Sequence, residues 1–104
     1  MKKAILCGAL AGSFGAASLA VPALAYTGQN MAKNAQVSMQ QARQAALQAE
    51  PGKIKDAELE RENGGSGLRY SFDIKPANGG TVHEVGVDAN TGKILENSVD
   101  NGND

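Results

Sequence analysis

In Leu68-Arg69-Tyr70-Ser71-Phe72-Asp73-Ile74-Lys75, apolar and polar side chains alternate without a break. A period of two is the signature of a β-strand with one face in the core and one in water. Leu68, Tyr70, Phe72 and Ile74 therefore belong to the core face, and Arg69, Ser71, Asp73 and Lys75 to the wet one. Burying each such apolar side chain is worth roughly 1.5–3 kcal/mol, which makes this strand the expected centre of the core.

Upstream, Ala57, Leu59 and Arg61 alternate with Asp56, Glu58, Glu60 and Glu62, predicting a strand with an acidic outer face. Ile54 is out of step with Ala57 and Leu59, so a bend or bulge is expected between them. The short connector Asn63-Gly64-Gly65-Ser66-Gly67 joins this strand to the first as an antiparallel hairpin. Downstream, Pro76-Ala77-Asn78-Gly79-Gly80 turns the chain into Thr81–Val87, with Val85, Val87 and His83 on one face. Val87-Asp88-Ala89-Asn90-Thr91-Gly92-Lys93-Ile94-Leu95 then reads as a tight hairpin into a last strand through Glu96. Its structural motif is Asp88, Thr91 and Gly92: Asp88 accepts a backbone N–H two residues on, and Gly92 takes the positive φ that closes the loop.

Before the strands, Ser38 followed by Gln41 forms a capping-box pattern that starts a helix over Met39–Ala49. Pro51 ends it by disfavouring helical geometry at Glu50. Met39, Ala42, Ala46 and Ala49, with Ala45 beside them, make an alanine-rich stripe toward the sheet. The expected fold class is α+β: one N-terminal helix packed on a four-stranded antiparallel sheet, in the order α-β-β-β-β. The expected core is Ala42, Ala46, Leu59, Leu68, Tyr70, Phe72, Ile74, Val85 and Val87.

The ends read differently. Lys2 and Lys3, a weakly apolar run to about Ala20, and Ala23-Leu24-Ala25 after Pro22 form a signal-peptide pattern. Residues 1–25 are expected to be removed between Ala25 and Tyr26, and the protein to be exported, periplasmic or secreted. The run is diluted by Gly and Ser, so no stable membrane insertion is expected after cleavage. Residues 26–36 read as a flexible leader, 37–97 as the domain and 98–104 as a disordered tail. The only cysteine, Cys7, lies in the expected signal peptide, so the exported chain would have no disulfide and no thiolate nucleophile. Without Lys2 and Lys3 the net charge becomes −3, which leaves no electrostatic footprint for nucleic acid.

The helix, the Pro51-Gly52 stop, the Tyr70-Ser71-Phe72 strand and the Val87-Asp88-Ala89-Asn90-Thr91-Gly92 loop, in this order, resemble a PepSY domain over about Val37 to Leu95. The resemblance implies a domain found in propeptides of secreted metallopeptidases and in small exported proteins, thought to restrain peptidases. This sequence carries no His-Glu-x-x-His motif, so any restraint is expected to act on a separate protein.

No catalytic, cofactor or metal residues are assigned. His83 is the single histidine and reads as a strand residue at the sheet margin rather than a ligand. Asp56, Glu58, Glu60 and Glu62 read as a solvated face. Asp88–Lys93 has Gly fifth and Lys sixth, the wrong order for a calcium loop. Ser38, Ser66, Ser71 and Ser98 lack a base with its orienting partner. The expected function is thus a non-enzymatic module that binds and modulates, or inhibits, an envelope or secreted protein such as a peptidase. The alternative is a small-ligand or cation-binding envelope protein using the acidic strand face.

Overall fold

A computed structural model describes residues 25–100 of the chain. The proposed signal peptide, apart from Ala25, and residues 101–104 lie outside the described residues. A short 3-10 helix (Gln29–Asn34) precedes α1 (Met39–Ala49), followed by β1 (Gly52–Arg61), β2 (Leu68–Pro76), β3 (His83–Asp88) and β4 (Ile94–Val99). The strands form one antiparallel sheet in the order β1-β2-β3-β4, with α1 across one face. This is the α-β-β-β-β arrangement.

Local chemistry sets each boundary. Ser38 Oγ accepts the Gln41 backbone N–H at 3.0 Å, and Gln41 Oε1 accepts that of Ser38 at 3.0 Å, so two of the orphan donors of the first turn are satisfied. Ala42 and Ala46 are fully buried, and with no bulk of their own they let the helix lie close to the sheet. The buried stripe stops there. Ala49 is exposed, because the chain turns at Pro51 into β1 and the half-buried Glu50 reaches His83 instead, at 3.2 Å. Leu47, absent from the expected stripe, packs against the core.

Beneath the helix lie Leu59, Leu68, Tyr70, Phe72, Ile74, Val85, Val87 and Ala89, all buried. The Tyr70 and Phe72 rings stack with centroids 6.4 Å apart. The β1–β2 register slips between Ile54 and Asp56, so Lys55 is the extra residue of a bulge. That bulge brings Ile54, opposite Ile74, onto the same face as Ala57 and Leu59.

Three expectations need correction. Residues 26–36, read as a flexible leader, carry the 3-10 helix, and Tyr26, Met31, Ala32 and Ala35 pack against the core. Thr27 also bridges Glu58 in parallel, its carbonyl accepting the Leu59 N–H at 2.8 Å. Backbone groups at the β1 edge supply the partner that composition did not announce.

The second concerns the wet face of β2, where Arg69 and Ser71 are buried. β2 lies between two strands, and the Arg69 side chain lies over Gly86, where an added Cβ would stand 3.1 Å from its Nη1. Finally, β4 continues beyond Glu96 through Val99, so Ser98 and Val99, read as part of a disordered tail, belong to the strand, its backbone pairing with β3 down to His83. Asp100 extends this pairing, its N–H donating to Val82 O at 2.8 Å.

Candidate functional site

Two polar constellations stand out, one at the β3–β4 turn and one across the sheet face that α1 leaves uncovered. The first is built on Asp88, which has no exposed surface. Its Oδ1 accepts the Ser66 N–H at 2.7 Å. Its Oδ2 accepts the N–H groups of Asn90 (3.2 Å) and Thr91 (2.9 Å) and the Thr91 hydroxyl (2.9 Å). Burial by itself would raise the pKa of this carboxyl, but the hydrogen bonds from Ser66 and Thr91 outweigh it and hold the group well below the usual carboxylate range.

Neighbouring residues extend the clasp. The Gly92 N–H donates to Asp88 O at 2.9 Å, with Gly92 at φ +81°. Asn90 Nδ2 donates to Ser66 Oγ at 2.9 Å, and Asn90 Oδ1 accepts the Gln36 N–H at 3.1 Å. Ala89 O accepts from both Gln36 and Val37, while the Tyr70 hydroxyl donates to Val37 O at 2.6 Å. The turn thereby ties together the β1–β2 connector, the chain entering α1 and the centre of β2. A shallow, open depression beside it is lined by Gly65, Ser66, Asp88, Thr91, Lys93, Ile94 and Leu95. Both oxygens of Asp88 are already taken by donors, so Asp88, Thr91 and Gly92 hold the fold together and present no free carboxylate to a cation.

The uncovered sheet face is acidic well beyond the stretch read from β1. Strand pairing sets Asp56 opposite Asp73, Asp73 opposite Glu84 and Gly86 opposite Glu96. Like charges directly opposite one another are destabilising. Carboxylate oxygens of Asp73, Glu84 and Asp100 all lie within 4.8 Å of each other. Burial, then the charges of Glu96, Asp73, Glu60 and Asp100, push Glu84 up to about 7. Glu58 and Asp73 are also raised, chiefly by burial and then by acidic neighbours.

Two cations on this face are engaged within the fold. Arg69 donates from Nη1 to Glu96 Oε1 at 3.3 Å and from Nη2 to Asn63 O at 3.1 Å. Its buried Nε has no hydrogen-bond partner, and Glu62 Oε1 stands 3.8 Å away. Lys75 Nζ donates to Gly80 O at 2.6 Å. His83 lies on the helix side of the sheet, its Nδ1 2.9 Å from Asn97 Oδ1 and 3.2 Å from Glu50 Oε1. The sequence reading confined the acidic face to Asp56, Glu58, Glu60 and Glu62. Extending the same alternation to β2 and β3 would have added Asp73 and Glu84.

Residues 36–97 match the PepSY family model, described as peptidase propeptide and YPEB domain. The chain belongs to the PepSY family. No curated protein and no solved structure matches it significantly. The PepSY match begins where Gln36 meets the Ala89–Asn90 turn and closes within β4, so it contains the whole Asp88 clasp. Among the described residues no helix is long and apolar enough to cross a membrane.

Proposed function

We propose that this PepSY chain is an exported, non-catalytic module that binds another envelope or secreted protein, such as a peptidase, and modulates or inhibits it. The observation that carries this reading is the family match itself, to a domain described by its place in peptidase propeptides. The arrangement of polar groups supports it. The buried donors and acceptors of the β3–β4 turn are used up in holding the fold, while charge is displayed on an open sheet face suited to another surface.

The test is capture of a partner from envelope extract with the purified protein, followed by peptidase assays on the captured fraction with and without added PepSY chain. Dose-dependent loss of proteolysis is the expected result. Absence of any captured protein, or proteolysis indifferent to the added chain, removes the reading. Cation binding is the second reading, favoured by the proximity of Asp73, Glu84 and Asp100. Calorimetric titration with calcium and with zinc separates the two, because a flat response eliminates the cation.

A further inference from the structure

The two edges of the sheet are not equivalent. β1 is guarded in several of the ways by which natural sheets avoid adventitious pairing. Thr27 bridges Glu58, the bulge at Lys55 interrupts the edge, and Lys53 and Lys55 project into water. On β4, no strand pairs with the outer edge among the described residues. From Glu96 to Val99 its pairing with β3 runs without a register shift, and the strand contains neither Lys nor Pro.

Alternation of the ladder says which groups this edge offers. The Asp100 N–H donates to Val82 O, so Asp100, Ser98 and Glu96 direct their backbone polar groups toward β3. Those of Asn97 and Val99 consequently face outward. Side chains add a second, independent signal. The exposed large apolar residues of the described chain, Ile94 at 41% and Val99 at 54%, both belong to β4. Their partners Val87 and His83 place them on the helix side, while Glu96 and Ser98 stand on the acidic face. An incoming strand would thus meet apolar side chains on one face and carboxylates on the other.

We propose that the outer edge of β4 is the docking site for an extended basic segment of a protein partner, which adds as another strand with Lys or Arg over the Glu96 side and apolar residues beside Ile94 and Val99. Charge complementarity selects this occupant. Although Arg69 pairs with Glu96, the face continues from Glu96 into Glu84 and Asp73 and on to Asp56, so cations on the added strand enter a region where carboxylates outnumber cations. A second copy of this chain fits less well, since antiparallel self-pairing through β4 keeps the two acidic sheet faces on the same side and sets them next to each other. Backbone pairing supplies affinity and the alternation supplies selectivity, the mode by which sheet edges capture extended peptides.

The inference rests on the reading that this PepSY chain binds a protein, and its test is separate from that reading. The probe is a short synthetic peptide in which lysine alternates with valine, titrated into the isotope-labelled purified protein and followed by amide NMR and hydrogen exchange. New protection at Asn97 and Val99 is expected, with affinity at least about tenfold above a glutamate–valine counterpart and falling as salt rises. Val99→Pro removes an outward N–H, a position where an edge strand tolerates proline, and should abolish the protection with melting nearly unchanged. Should that variant unfold, Ser98→Lys serves instead, expected to weaken the basic peptide several-fold. Protection at β1, equal binding of the acidic peptide, or a dimer formed through β4 overturns the proposal. A captured partner that binds Val99→Pro as tightly as wild type overturns it too and leaves the broader reading standing. Peptide pairing at β4 with no protein ever captured upholds the edge and removes the broader reading.

Discussion

Asp88 is a residue that elementary rules lead one to leave in water, yet it is fully buried. It is stable there because four donors converge on two oxygens, with Ser66 supplied from a different hairpin. Asp88→Asn replaces one oxygen by an amide N–H₂ that faces donors, so it should cost roughly 2–3 kcal/mol, read as a lowered midpoint in chemical denaturation. Tyr70→Phe is the milder probe. It leaves Val37 O without its hydroxyl donor and should cost about 1 kcal/mol in the same experiment. The sequence announced part of this arrangement. Asp88 followed by Asn90-Thr91-Gly92 is a turn motif with its own local bonds, and these were legible. The bond from Ser66 was not, because it depends on two connectors meeting at the same end of the sheet.

At the level of elements, what the sequence made legible follows from what each pattern depends on. The alternation of Leu68–Lys75 and the capping box at Ser38 are local, so the strand and the helix start could be read directly. The phase break between Ile54 and Ala57 was equally local and marks the bulge at Lys55. The burial of Arg69 and Ser71 depends on which strands flank β2 and on Gly86 leaving room, and neither is written within β2 itself. The packing of residues 26–36 likewise depends on the β1 edge. Phe72 tests the element that unites them. It is fully buried, paired with Ala57 on one side and Val85 on the other. Phe72→Ala should cost about 3–5 kcal/mol, a large part of the roughly 5–15 kcal/mol that holds a typical domain together. Thermal melting followed by circular dichroism checks it, and a wild-type melting curve would refute Phe72 as the centre of the core.

Over the whole molecule, the acidic sheet face and the Asp88 clasp pull stability in opposite directions as pH changes. Glu84 ionises at about 7 in the folded chain, above its ordinary 4.5, so between these values the fold holds a proton that the unfolded chain has released. Stability must therefore rise as pH falls from above 7 toward 4.5, and the raised Glu58 and Asp73 act in the same sense. Asp88 does the reverse. Its folded pKa is depressed, so its contribution is complete above the unfolded value of 3.8 and is lost as acid forces a proton onto it. The melting temperature should accordingly pass through a maximum in mildly acidic buffer, higher there than at pH 8 and falling steeply below about pH 4. Glu84→Gln removes the group with the largest upward shift. It should raise melting at pH 8 by several degrees and flatten the limb between pH 8 and pH 5, while leaving the acid limb set by Asp88 in place. Calorimetric scans of both proteins across this range decide the matter. A wild-type curve flat between pH 8 and pH 5, or one unaltered by Glu84→Gln, would show that the carboxylates on the open face do not repel one another enough to matter.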